Sequence, residues 1–185
     1  GDGTGKWRLN VTSTMGVRLM SLLRSPDGYL ANMSTPVESF TADSEVIFAN
    51  PASNEIQSSF LRLINPTSED ATVIISGIDD TGAIAPAGDV MLVLPAGQSA
   101  QVTLADLESG NTDKGLIGTL GNGQGLWRLN VSADTNVEIM SLVRSPDGFV
   151  TNMSRTVPAI TGVNNVWFFN PASNTDQESV LRLVN

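Results

Sequence analysis

The chain carries 19 acidic against 10 basic side chains, no histidine and no cysteine. Without imidazole or thiol, the usual general base, the thiolate nucleophile and the ordinary zinc site all lack their side chains. Oxygen chemistry remains. Asp2, Asp79, Asp80, Asp106, Glu108 and Asp113 fall in or near expected loops, and calcium takes oxygen-rich loops. No EF-hand or nonapeptide spacing accompanies them, so solvated turn carboxylates are the preferred reading and no cofactor is expected. Glycoside hydrolysis needs two carboxyl groups opposed across a cleft, and nothing sets one pair apart here. The two lysines, Lys6 and Lys114, lie in no Ser-x-x-Lys pattern. The expectation is a protein that is not an enzyme.

Gly1-Asp2-Gly3-Thr4-Gly5-Lys6 superficially suggests a phosphate-binding loop. Its spacing is too short, Trp7 stands where Ser or Thr is needed, and the next element reads as a strand. A glycine-rich turn is the better account. Four Asn-x-Ser/Thr triplets, at Asn10, Asn32, Asn130 and Asn152, match the glycosylation pattern and are assigned to chance. Arg8, Arg24 and Arg62 recur as Arg128, Arg144 and Arg182; on strands, such arginines pair with carboxylates or cap edges. Asp27 and Asp147 are the local candidates for Arg24 and Arg144. Trp7 and Trp127 alternate with polar neighbours and read as core. Trp167 replaces Ile47 of the other copy, and Trp167-Phe168-Phe169 is the one aromatic run that would suit a sugar platform.

These side chains are positioned by a repeat. Residues 1–65 align without a gap on residues 121–185 at an offset of about 120, with about 35 of 65 pairs identical. Asp2 becomes Asn122 and Lys6 becomes Leu126, whereas Arg24-Ser25-Pro26-Asp27-Gly28 returns unchanged as Arg144-Ser145-Pro146-Asp147-Gly148. Pro66 to Leu120 occurs once. A period of about 120 residues is domain-sized. The final Leu181-Arg182-Leu183-Val184-Asn185 reads as part of a strand whose first copy continues into Pro66, which favours an array sampled for one and a half periods.

Trp7-Arg8-Leu9-Asn10-Val11 alternates strictly, as a half-buried strand does. Val17 to Arg24 follows, then a Ser-Pro-Asp-Gly turn and a return strand over Tyr29 to Ser34. Further strands are expected at Val46–Ala49, Phe60–Ile64, Ala71–Ile78, Val90–Leu94 and Ala100–Leu104. The last two are expected to pair across Pro95-Ala96-Gly97. Leu104 to Ser109 suits one helical turn. About eight short strands per unit, with no sustained helical period, predict an all-β, antiparallel β-sandwich. One complete unit spans residues 46–154. Residues 1–39 supply the last strands of a preceding unit, and 163–185 the first strands of a following one. Phe40–Ser44 and Ile160–Asn164 connect them.

Leu61-Arg62-Leu63-Ile64-Asn65-Pro66, Gly77-Ile78-Asp79-Asp80-Thr81-Gly82 and Gly121 to Leu129 together resemble the immunoglobulin-like repeats of large secreted or surface-attached bacterial proteins. The cysteine pair of true immunoglobulin domains is missing. The resemblance implies an extracellular or cell-surface setting and multi-domain arrays, and it transfers no functional residue. A net charge of −9 disfavours nucleic acid and anionic lipid, and no apolar run reaches the roughly 20 residues of a spanning helix. The expected function is a structural or adhesive module of a stalk, surface fibre or filament. Its expected partners are neighbouring copies or units, met through Phe168, Leu181 and Leu183. The alternative is an accessory carbohydrate-binding module of a secreted hydrolase, taking polysaccharide at Trp167.

Overall fold

The computed structural model describes residues 9, 11–24, 28, 30–33, 38–40, 43–154, 170–171, 173–174 and 179–183. Twelve strands occur among them. β1 (Leu22–Arg24) and β2 (Leu30–Asn32) form a hairpin by themselves. β3 (Glu38–Phe40), β4 (Asp43–Ala49), β5 (Ser58–Ile64) and β6 (Ala71–Asp79) follow. Then come β7 (Val90–Leu94), β8 (Ser99–Thr103), a short helix α1 (Leu104–Ser109) and β9 (Leu116–Ile117). β10 (Trp127–Ala133), β11 (Val137–Arg144) and β12 (Val150–Asn152) complete the set.

Two antiparallel five-stranded sheets result. One has the order β4-β10-β6-β7-β9. The other has the order β12-β11-β5-β8, with β3 joined to the first half of β11. Alternation decides which face turns inward. In β6, Ala71, Val73 and Ile75 are buried, and in β10 so are Trp127, Leu129 and Val131. From the other sheet Leu61, Leu63, Val102, Val137 and Ile139 join the same apolar cluster. This is a β-sandwich-like, all-β architecture with a single short α-helix among the described residues. Each fully buried Leu, Ile or Val contributes about 1.5–3 kcal/mol, so this shared interior is the main source of stability.

Outside residues 43–154, Leu9, Val11 and residues 17–21 of the two expected first strands and residues 181–183 of the expected last one are in no strand; of the first two only Leu22–Arg24 forms. An alternating face needs a sheet opposite it. Within residues 43–154 the strand positions follow the sequence closely, but one pairing does not. β7 and β8 are not a hairpin. β7 pairs with β6 and β9, whereas β8 pairs with β5. The turn after β7, closed by Gln98 N–H donating to Pro95 O at 3.0 Å, carries the chain from one sheet to the other. Val90, Leu92 and Leu94 on one side and Val102 on the other all enter the common interior. A short Pro-Ala-Gly link serves this crossing as readily as a hairpin, so local chemistry does not separate them. The expected helical turn is present as α1. Phe40, expected in a connector, is buried in β3 opposite Val137.

The two sequence copies share the hairpin but not every strand: residues 129, 131 and 137–141 lie in β10 and β11 and residues 59–63 in β5, whereas Leu9, Val11, residues 17–21 and residues 179–183 are in no strand. β1 and β2 pair as Leu22↔Asn32, Leu23↔Ala31 and Arg24↔Leu30. β11 and β12 pair as Leu142↔Asn152, Val143↔Thr151 and Arg144↔Val150. Met33 N–H donates to Ser21 O, and Met153 N–H to Ser141 O, both at 2.8 Å. Asn50 N–H reaches Ser59 Oγ at 2.9 Å, and Asn170 N–H reaches Ser179 Oγ at 2.8 Å.

Candidate functional site

The carboxylates with chemical potential fall into two groups, and each has structural partners. Thr103 caps α1, with its hydroxyl accepting from Asp106 N–H while the Asp106 carboxylate accepts from Thr103 N–H at 2.8 Å. Asp106 also accepts from Asn111 Nδ2 at 2.7 Å and from Lys114 Nζ at 2.5 Å. Burial works to raise the Asp106 pKa, but the hydrogen bonds from Lys114, Thr103 and Asn111 outweigh it and hold the carboxyl well below the usual range. Two residues further, Glu108 is buried. Its Oε1 accepts from the Trp127 indole N–H at 2.7 Å, and its Oε2 from Ala52 N–H at 3.1 Å. One side chain thus ties α1 to β10 and to the turn after β4.

The indole ring owes its position to missing side chains. A Cβ on Gly77 would stand 2.8 Å from the Trp127 ring, and one on Gly123 would stand 2.4 Å from it. The two glycines therefore admit a ring that no substituted backbone would accommodate at this spacing. Gly123 belongs to the glycine-rich loop before β10, so that loop is packing and turn chemistry here.

Asp79 and Asp80 fasten the same loop. Asp79 Oδ1 accepts from Thr81 N–H at 2.9 Å, Thr81 Oγ1 at 2.6 Å and Ala83 N–H at 3.1 Å, while Oδ2 accepts from Gln124 N–H at 2.9 Å. The Thr81 hydroxyl, followed by Gln124 N–H, lowers its pKa to about 2. Asp80 Oδ2 accepts from Leu126 N–H at 2.8 Å, and Oδ1 pairs with the Arg182 guanidinium at 2.9 Å. Burial opposes ionisation of Asp80, and the bonds from Leu126 and Arg182 prevail, lowering its pKa. Arg182 further donates through Nε to Ile47 O at 3.0 Å and lies 6.0 Å from the Phe48 ring centre. A shallow cleft of about 260 Å3 opens beside these residues, lined by Asp79, Asp80, Thr81, Arg128, Arg182 and Leu183 among others. Its charged groups hold loops and pin residues 179–183 to β4.

Of the residues weighed for calcium, Asp2 lies outside the described residues, and Asp113 sits in a 3-10 turn after α1. Among the described residues, no group of three or more His, Cys, Asp or Glu side chains comes together as a metal site. Arg128 pairs with Glu45 at 3.6 Å and Arg62 donates to Ser99 Oγ at 3.3 Å. Asp147, weighed as a partner for Arg144, is held by Ser145 Oγ and by Phe149 N–H at 3.4 Å. The Ser145 hydroxyl lowers its pKa. No described helix is long and apolar enough to cross a membrane.

Trp167 and Phe168 lie outside the described residues. Leu181 and Leu183 are 57% and 79% exposed, although their repeat counterparts Leu61 and Leu63 are fully buried. The larger exposed apolar surface is one the sequence reading did not single out. Leu9, Val11, Val17 and Leu19 are each more than 60% exposed, whereas the matching Leu129, Val131, Val137 and Ile139 are core. The signal was present in the repeat itself: residues of core type recur over 9–19, a stretch whose described residues form no strand.

A family model described as a family of unknown function, DUF5719, matches residues 29–118. That match takes in β2 to β9 and stops before β10. Among solved structures the chain is similar to the Anabaena sensory rhodopsin transducer, with 13% identity and a TM-score of 0.41. The similarity covers 54% of this chain and 92% of that one. No curated protein sequence matches the chain.

Proposed function

We propose that this chain is a structural, adhesive module from an extracellular tandem array, built of β-sandwich units that act by spacing and by self-association. The layout is immunoglobulin-like in the sense of two facing antiparallel sheets repeated along a chain. The observation that carries the reading is the repetition of residues 1–65 as 121–185 without a gap. The matching hairpin registers at Leu22–Asn32 and Leu142–Asn152 support it. In this reading residues 46–154 form one unit, while 1–39 and 163–185 contribute to its neighbours. Connectors of a few residues keep such units close and semi-rigid. The acidic side chains serve turns, caps and a buried tie to Trp127, which suits a mechanical spacer.

The test is mechanical. The chain is extended by a second copy of residues 66–154, so that 163–185 gains every strand of a complete unit, and is pulled from its ends. Two unfolding events of equal length are expected, each releasing about 350–400 Å for roughly 110 residues at ~3.3–3.6 Å per residue. A single event, or extension without a force peak, would refute the array.

A further inference from the structure

We infer that Asn122-Gly123 is a site of self-modification, where the main chain closes a succinimide and reopens as aspartate or isoaspartate, ageing the loop that seats Trp127. The inference is independent of the array reading.

The residue after the asparagine decides whether this ring can close. Its main-chain nitrogen must reach the carbonyl carbon of the asparagine side chain, and a Cβ obstructs the approach that glycine leaves open. Asn122-Gly123 is the one Asn-Gly pair in the sequence. Asn50, Asn65 and Asn170 precede proline, whose nitrogen has no proton to lose. Asn54, Asn111 and Asn130 precede Glu55, Thr112 and Val131. The fold itself keeps the reactive pair. A Cβ on Gly123 would stand 2.4 Å from the Trp127 ring, so packing excludes the larger residue that would slow closure. The first copy carries Asp2 before Gly3 at the same place, which is the side chain the reaction leaves in the second.

Both reacting groups are unengaged. Asn122 is exposed and Gly123 half-buried. Among the described residues, neither the Asn122 amide nor the Gly123 N–H makes a hydrogen bond. The positions on either side are tied. Gly121 N–H donates to Glu108 O at 3.1 Å and to Thr119 Oγ1 at 3.0 Å, and Gln124 N–H donates to Asp79 Oδ2 at 2.9 Å. Two unbonded residues thus stand between two anchors, and closing the ring breaks no hydrogen bond.

The step needs only water. Hydroxide takes the Gly123 amide proton, and the nitrogen attacks Asn122 Cγ. A bond forms between them, the bond from Cγ to Nδ2 breaks, and Nδ2 takes a proton from water and leaves as ammonia. Water then opens the imide. Opening at Cγ leaves aspartate, and opening at the Asn122 main-chain carbonyl leaves isoaspartate. Each event exchanges NH for O and adds one negative charge to a chain of net charge −9. Isoaspartate also lengthens the main chain by one carbon beside Gly123, where the ring leaves no spare room, so it loosens the seat of Trp127.

The full chain and an Asn122→Gln variant are kept in oxygen-18-labelled water from neutral to mildly alkaline pH, folded or in urea. The tryptic peptide of residues 115–128 is followed by mass spectrometry. In the folded chain it should gain the mass of O over NH, carry the label, and divide into aspartate and isoaspartate forms, which isoaspartyl methyltransferase tells apart. The rate should rise about tenfold per pH unit, as the deprotonated fraction of the amide does. It should lie within about tenfold of the rate in urea, since a segment without hydrogen bonds opens at little cost. Asn122→Gln, which would need a larger ring, should stay unchanged. The purified isoaspartate form should unfold at a lower urea concentration than the parent. A folded chain that converts more slowly than this would overturn the inference, because the packing of Gly123 on Trp127 would then hold the pair shut. So would a rate indifferent to pH, equal conversion of Asn122→Gln, or an isoaspartate form as stable as the parent.

Discussion

Replacing Glu108 by Ala should reveal how far one buried carboxylate organises this fold. The side chain accepts from the Trp127 indole N–H at 2.7 Å and from Ala52 N–H at 3.1 Å. Trp127 itself is fully buried, so water has no route to the orphaned indole N–H. A hydrogen bond to a charged group contributes about 1.5–3 kcal/mol, and a buried unpaired donor costs about 1–3 kcal/mol. Removing the carboxylate also relieves its own desolvation, which offsets part of the loss. The net expectation is a destabilisation of about 3 kcal/mol, or a fall in Tm of about 10 °C for a cooperative unit of this size. Glu108→Gln keeps an acceptor for the indole but turns an amide N–H toward Ala52 N–H, so it should lose less. Urea unfolding followed by far-ultraviolet circular dichroism measures both. A double-mutant cycle with Trp127→Phe should return a coupling of at least ~1 kcal/mol. If Glu108→Ala costs under ~1 kcal/mol, or the cycle is additive, the Glu108–Trp127 bond is not the tie described here.

Gly123→Ala should cost about 2 kcal/mol or more in the same assay, because its Cβ would stand 2.4 Å from a ring packed against Gly77 on its other side. Gly16→Ala, with nothing within 4 Å, is the neutral control, expected within ~0.5 kcal/mol. Asn65→Ala should lose about 2 kcal/mol, since this fully buried amide donates to Glu69 O and Leu94 O and accepts from Thr67 N–H. Asp79 and Asp106 have pKa values below the ordinary 3.8. The stability they confer is therefore complete above about pH 4 and lost as pH falls through the folded values, which for Asp79 means toward pH 2. Tm measured from pH 6 down to 2 should hold and then drop below about pH 4, and Asp106→Asn should lower the plateau and flatten the drop.

Much of this architecture was legible in the sequence because alternation is a local property. Trp127-Arg128-Leu129-Asn130-Val131 declares which side chains turn inward, and β10 buries those three apolar residues. Val90–Leu94 is a strand with the expected bounds, and the helical turn expected over Leu104–Ser109 is α1. The repeat is likewise a comparison of letters and needs no coordinates.

Tertiary structure alone decided who meets whom. β7 and β8 adjoin in the chain yet hydrogen-bond in different sheets, because β6 and β5 already offer each a full ladder and both inner faces are needed in the interior. Glu108 reads as an acidic loop residue, but the indole of Trp127, 19 positions away, makes it a buried acceptor. Leu19 and Ile139 are near-equivalent letters, one exposed at 61% and the other buried at 3%. Ile139 lies in β11, paired with Glu38 of β3 and Leu63 of β5, whereas Leu19 is in no strand, and burial belongs to the packed surfaces and not to the residue.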